Sequence, residues 1–307
     1  MTETEMNSLT LGSSGITIRP MGVGTNRWGS GGAARPELQP VFDAALQAGI
    51  SLFDTAEVYG RGGSERTLGR FLSTANGKPV VLTKFFPLPW RLRKGSLVAA
   101  LRRSLERLGL AQVDLYLVHF PTPLVPVETW ADGLADALEA GLVRAVGVSN
   151  YDAGEMRRAH SALKARGIPL CCNEVEYNLL NRRAERNGVL DACRELGVTL
   201  VAYRPLALGF LSVPRSPQDG AKGVRGLMFG RAYAERIGAV AGLLRRIGDS
   251  RGKTPAQVVL NWVLCKGALP IPGATTVAHL QENLGTLSWR LTAEEVAELD
   301  RASSPVQ

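Results

Sequence analysis

Three short apolar stretches in this chain each end on a side chain that can hold or move a proton. SLF runs into Asp54, VVLT into Lys84 and LYLV into His119. The segment TAEVYG, which begins just after Asp54, adds a phenol at Tyr59. A tyrosine alone is a poor acid at neutral pH. A lysine ammonium beside it favours the phenolate and is expected to lower its pKa, while an aspartate keeps the ammonium charged and oriented. A histidine next to the phenol can hydrogen-bond a carbonyl oxygen and support the charge that develops there. Together the four types describe a general-acid tyrosine inside a proton-relay group.

Taken singly, each has a plainer reading. A lone aspartate at a strand end is often an N-cap, a lone histidine a satisfied core residue, and a lysine a solvated edge. Four such groups in step, at or just beyond the ends of successive strands, are much harder to explain in that way.

The elements that must position them are legible as an alternation. Apolar runs at 21–24, 51–54, 80–84, 115–119, 145–148, 170–174, 199–203 and 269–271 read as strands. Amphipathic stretches at 37–48, 64–72, 96–108, 128–139, 153–166, 187–196, 233–247 and 277–285 read as helices. Strands that alternate with helices argue for βαβ units and a parallel sheet. Eight such units in 307 residues fit an α/β fold of the closed (β/α)8 TIM-barrel kind better than an open doubly wound sheet. In a barrel of this kind, polar residues at the C-terminal strand ends form the active site.

No linker-like tract divides the chain, so 1–307 is expected to be a single barrel domain, with 1–7 outside its ordered part. Three pieces are additional: an N-terminal β-hairpin at 8–19 turning at Ser14-Gly15, a long Pro/Gly/Arg-rich loop at 213–231, and an extra C-terminal helix at 292–302. Thr292, with Glu295 three residues on, caps that helix.

Composition narrows the function classes. No apolar run reaches the roughly 20 residues of a membrane helix, and the acidic start MTETEMNSLT lacks a signal-peptide core, so no membrane role is expected. The four cysteines form no C-x-x-C pair, and adjacent Cys171 and Cys172 lie in an apolar stretch, which suits buried thiols in a reducing cytoplasm. Three histidines at unhelpful spacings make a metal site an unattractive reading. The net charge of +8 is spread along the chain, with Arg182-Arg183 and Arg245-Arg246 reading as solvated helix faces. That pattern fits an anionic small ligand as well as nucleic acid, which is not expected as a partner. A monomer or weak homo-oligomer is the expected state.

At this point the chain resembles the aldo-keto reductases. FDTAEVYG at 53–60, TKF at 83–85, DLYLVH at 114–119, GLVRAVGVSN at 141–150, VAYRPLALGFL at 201–211 and LPIPGA at 269–274 match that family's motifs in order. The stretches KFFPLPWR and KTPAQVVLNWVLCKGALPIPG look most similar to its pyridoxal-reductase-like plant and microbial members. The resemblance implies a tetrad of Asp54, Tyr59, Lys84 and His119. It also implies an NADPH-dependent carbonyl reductase without metal and without a Rossmann domain, acting on a small-molecule aldehyde or ketone. Ser149 and Asn150 match the pair that hold the nicotinamide carboxamide, and Tyr203 the aromatic that stacks on the ring. Gly24, Thr25 and Asp54 match positions beside the cofactor. Arg204, Pro205, Leu206, Gly209 and Leu211 match the pyrophosphate loop, and Gly273, Thr275, His279, Glu282 and Asn283 the adenosine end. Arg225 is a candidate for a 2′-phosphate, because a guanidinium binds phosphate with two donors; a solvated loop arginine is the equal alternative. Asn26, Trp28, Phe85, Phe86, Trp90 and Phe120, on the rim loops, could wall the substrate side with Tyr59 and His119.

Several positions depart from the family. NEVEYN carries Glu174 where the family has Gln; an ionised carboxylate accepts hydrogen bonds from a carboxamide but cannot donate. Its charge would also favour a nicotinamide made cationic by oxidation. The usual lysine after the seventh strand is missing, with Arg215 as a substitute. Gly273 and His279 stand where many relatives carry Lys and Arg, which leaves NADPH against NADH open. Two rivals share these residues. One is a cofactor-sensing regulatory subunit like the potassium-channel beta subunits; the other is an unrelated barrel enzyme using Lys84 as a Schiff base.

Overall fold

The computed structural model describes residues 8–212 and 224–304; within the helix that starts at Val224, side chains are described from Ile237 onward, Ala239 apart. Eight parallel strands form one sheet in chain order. They are β1 (Gly22–Gly24), β2 (Leu52–Asp54), β3 (Val80–Phe85), β4 (Val113–Val118), β5 (Val143–Ser149), β6 (Leu170–Glu176), β7 (Thr199–Tyr203) and β8 (Leu269–Pro270). A parallel bridge between Gly24 and Gly273, with Gly24 N–H donating to Pro272 O at 3.0 Å, brings the first strand against the last. Glycine is required at that seam: a Cβ on Gly24 would lie 2.9 Å from Ile271 O. The sheet is therefore a closed (β/α)8 barrel.

Two apolar layers follow from the alternation of side chains along each strand. Leu52, Leu82, Leu115, Leu117, Cys172 and Val201 point inward and fill the barrel. The opposite faces, with Phe53, Val81, Tyr116 and Val146, pack against the surrounding helices. The N-terminal hairpin, Leu9–Thr10 paired with Thr17–Ile18, closes the bottom by adding Leu11, Ile16 and Ile18 to the inner cluster. Gly12 N–H donates to Thr199 Oγ1 at 2.8 Å and fastens the hairpin to β7.

The helices stop and start where the chain's local chemistry requires. Lys94–Leu108 and Val189–Leu196 end on Gly109 and Gly197, both left-handed, at φ of 66° and 65°. Ala293–Ser303 opens with the expected capping box of Thr292 and Glu295. Two expectations change. The stretch 224–231, expected as the end of a long loop, is helical: one helix runs Val224–Arg251, and 213–223 lies outside the described residues. A second helix, Pro255–Cys265, capped by Thr254 and Gln257, precedes β8 where no helix was read. Its all-round apolarity hid it, because a helix buried on most sides carries no amphipathic stripe. Arg182 is not a solvated face either. It lies mostly buried over the Trp262 ring and pairs with Glu185 and Asp300, tying the C-terminal helix to the barrel.

The tightness of the barrel interior can be tested at Gly147 on β5. A Cβ there would stand 2.6 Å from Cys172 Sγ and 2.9 Å from Cys172 O. Gly147→Ala is expected to lower stability by about 1–3 kcal/mol, read from urea unfolding curves.

Candidate active site

The C-terminal strand ends open into a cavity of about 580 Å³. Asp54 ends β2, Lys84 lies one residue before the end of β3, and His119 follows β4 directly. Tyr59 reaches the same rim from the turn after β2, where its N–H bonds Ala56 O at 3.0 Å. Each strand is buried on both faces, so its last polar side chain has nowhere to go but the rim or the interior.

Lys84 is fully buried and is the hub of the site. Its Nζ donates to Asp54 Oδ1, to Thr55 O at 3.0 Å and to Tyr59 Oη at 3.4 Å. Glu174 Oε2 lies 3.3 Å away from the same nitrogen. Burial alone would lower the ammonium's pKa, but Asp54 and Glu174 outweigh it and hold the charge firmly in place. Burial pushes the Asp54 carboxyl up against the pull of Lys84. Burial pushes the Tyr59 phenol above its ordinary value; Lys84 lowers it, as expected of an adjacent ammonium, but burial, with Asp54 and Glu174, outweighs that pull. His119 is pushed down to about 3, by burial and then by Lys84, so its imidazole is neutral.

An aromatic stack surrounds the imidazole. Phe120 lies face to face with His119, ring centres 4.9 Å apart, and Phe86 meets it edge-on at 5.6 Å. Tyr59 approaches His119 edge-on at 5.8 Å from the other side. Glu57, between Asp54 and Tyr59, accepts from Phe86 N–H at 2.8 Å and pairs with Arg91, bracing the loop after β3.

Most of the residues singled out from sequence line the cavity. Asp54, Tyr59, His119, Phe120 and Asn26 line it. So do Gly24, Asn150, Glu174 and Tyr203, the stretch with Arg204, Pro205, Leu206 and Gly209, and Gly273, Thr275, His279, Glu282 and Asn283. Asn150 is fully engaged: its amide donates to His119 O and Ser149 Oγ, both at 3.0 Å, and its Oδ1 accepts from Tyr203 Oη at 3.0 Å. Asn150, Arg204, Ala207 and Leu208 hold positive φ between 47° and 61° without being glycine. Such strain gathers at sites the surrounding fold over-determines.

Others do not reach it. Trp28 is buried, packed on Phe53 and Phe71 and donating its indole N–H to Ala274 O at 2.8 Å; it is core, not substrate wall. Phe85 is buried against Trp130, since it points outward from β3 toward the helices. Trp90 is 75% exposed and outside the cavity. Thr25 is turned inward to Asp54 O and Ser64, Ser149 to Glu174 O, and Leu211 is buried in the outer core. Arg215 and the side chain of Arg225 lie outside the described residues. Sequence reasoning missed Arg27, Leu208, Ser212, Ile271, Pro272 and Ala274 as cavity walls. Apart from Arg27, they fall in or beside the quoted motifs and carried no reactive group to mark them.

Three features fit a nicotinamide dinucleotide. The cavity runs unbroken from Tyr59 to Asn283. Tyr203, among its lining residues, brings a ring. Glu174 Oε2 is buried without a hydrogen-bond partner among the described residues, beside the ring's expected position.

Comparisons with known proteins agree with this geometry. The Aldo/keto reductase family profile matches residues 20–304. A chloroplastic pyridoxal reductase of Arabidopsis thaliana is 41% identical over 94% of this chain and 84% of its own. An aldo/keto reductase of Klebsiella pneumoniae, solved with NADP and acetate, superposes with a TM-score of 0.76 at 28% identity, covering 98% of this chain and 96% of that one. The thermostable aldo-keto reductase Tm1743, solved with epalrestat, gives 0.79 at 31% identity over 96% and 99% of the two chains. With its barrel, its buried lysine hub and these relatives, the chain belongs to the aldo/keto reductase family of oxidoreductases.

Proposed function

We propose that this protein reduces an aldehyde or ketone to an alcohol with NADPH, with Tyr59 as the general acid and the whole chain acting as one catalytic domain. The observation that carries this reading is the Tyr59 hydroxyl, 3.4 Å from a fully buried ammonium and walled in with His119 at one end of a dinucleotide-sized cavity. When bound, NADPH supplies the hydride that attacks the carbonyl carbon. Tyr59 gives its proton to the carbonyl oxygen as charge develops there. Because burial keeps the phenol protonated at neutral pH, the donor is always loaded. Lys84 limits the cost of the phenolate left behind, since its charge stands beside the phenol oxygen. A neutral His119 keeps one ring N–H to donate and orients the carbonyl without competing for the proton.

Phe120 and His119 give the cavity a stacked aromatic wall suited to a flat aldehyde, with Phe86 meeting the His119 ring edge-on, and pyridoxal, named for the Arabidopsis relative, is the first compound to try. Four free cysteines fit a reducing compartment such as the cytoplasm.

Tyr59→Phe is expected to cut carbonyl reduction by about 10²–10⁴-fold while NADPH binding survives; steady-state rates beside fluorescence titration will check it. Tight NADPH binding by the unmodified chain with no turnover on a broad carbonyl panel would turn the reading toward a cofactor sensor.

The neutral His119 has a stability consequence. Its folded pKa, about 3, lies below the ordinary 6.5, so the unfolded chain binds the extra proton between those values. Folding stability should therefore fall as pH drops through that window. His119→Asn should remove this part of the slope in urea titrations at successive pH values.

A further inference from the structure

Lys84 meets two carboxyls in the structure, and one would balance its charge. Asp54 comes from β2 and Glu174 from β6, and both meet the ammonium. Both are buried, and with both ionised the cluster would carry one uncompensated negative charge away from water. Two carboxyls in one dry site do not both stay ionised easily.

Glu174 is the better place for that proton. Lys84 contacts Asp54 directly, whereas Glu174 Oε2 stands at 3.3 Å without a hydrogen bond. The charged or titratable groups facing Glu174 are Asp54 from β2, Lys84 from β3, Tyr59 from the turn after β2, Tyr203 from β7 and Cys172 on its own strand. Lys84 is the sole cation among these. Burial, and then Asp54, push the Glu174 carboxyl up to about 8. In its protonated form a carboxyl offers one donor and one acceptor.

We propose that Glu174 is a proton store for the nicotinamide subsite: it keeps its proton beside a neutral ring and releases it to solvent when the ring beside it is cationic. The inference rests on the cavity taking a nicotinamide dinucleotide. The balance is simple: the carboxyl O–H breaks, its pair stays on Glu174, and the proton goes to buffer. Binding of oxidised dinucleotide is thereby linked to pH, and binding of reduced dinucleotide is not.

The test is to titrate NADP⁺ and NADPH separately against the protein by tryptophan fluorescence, from about pH 7 to about pH 9. The dissociation constant for NADP⁺ should fall roughly tenfold over that range, because release is linked to binding only up to about pH 8, where the free carboxyl still holds its proton, while that for NADPH stays level. The 2′-phosphate is common to both titrations, so its contribution cancels in the difference. Glu174→Gln should erase the difference and Tyr59→Phe should keep it. Calorimetry on the unmodified protein, in two buffers of different ionisation enthalpy near pH 7, should count close to one proton released per NADP⁺ and none per NADPH. Equal pH dependence for the two dinucleotides, or a difference that survives Glu174→Gln or vanishes in Tyr59→Phe, overturns the proposal while leaving the reductase reading intact. Failure of both dinucleotides to bind at any pH removes the cofactor reading itself.

Discussion

An ammonium held away from water is tolerated only where opposite charge and hydrogen-bond acceptors meet it at close range. Lys84 satisfies that condition through Asp54, Glu174, Thr55 O and Tyr59 Oη, drawn from β2, β6 and the turn after β2. The barrel is what makes this possible. Parallel strands in ordered register bring side chains from distant parts of the chain to one level, and the inner apolar cluster beneath excludes water from below. The chemistry at the rim inherits its character from this dryness. Burial keeps the phenol protonated and the imidazole neutral, while the lysine keeps its charge because its acidic surroundings, Asp54 foremost, outweigh the same burial.

Support for the hub extends outward in both directions. Below, the hairpin and Gly12 seal the barrel, so the N-terminal arms serve the site only through the core. Above, Asn150 bridges His119, Ser149 and Tyr203, coupling β4, β5 and β7 through one side chain held at positive φ. The strained backbone at Arg204, Ala207 and Leu208 continues that edge. Strain of this kind marks positions where the path of the chain around the cavity has been set against local preference.

The residue types at the strand ends were readable because reactive groups after apolar runs stand out, and the barrel was readable because eight alternations leave few other topologies. The errors have a common origin. Trp28 follows the cavity wall Arg27 and Phe85 follows the hub Lys84, and side-chain direction, which alternates along strands and turns sharply in loops, decides between core and rim. Thr25 and Ser149 carry the right groups but spend them on neighbouring backbone oxygens. The helix Pro255–Cys265 was missed because burial on most sides removes the stripe that periodicity detects.

What the sequence determined by itself was an inventory: four reactive groups, their order, the eight-unit frame that could gather them, and the departure at Glu174. It could not determine how their mutual influence balances against burial. A lysine near a tyrosine lowers its pKa, and here that pull is outweighed. Only the folded barrel decides how dry the site is and how many carboxyls share the lysine. Dielectric environment and three-way distances are properties of packing, and no local stretch of residues encodes them alone.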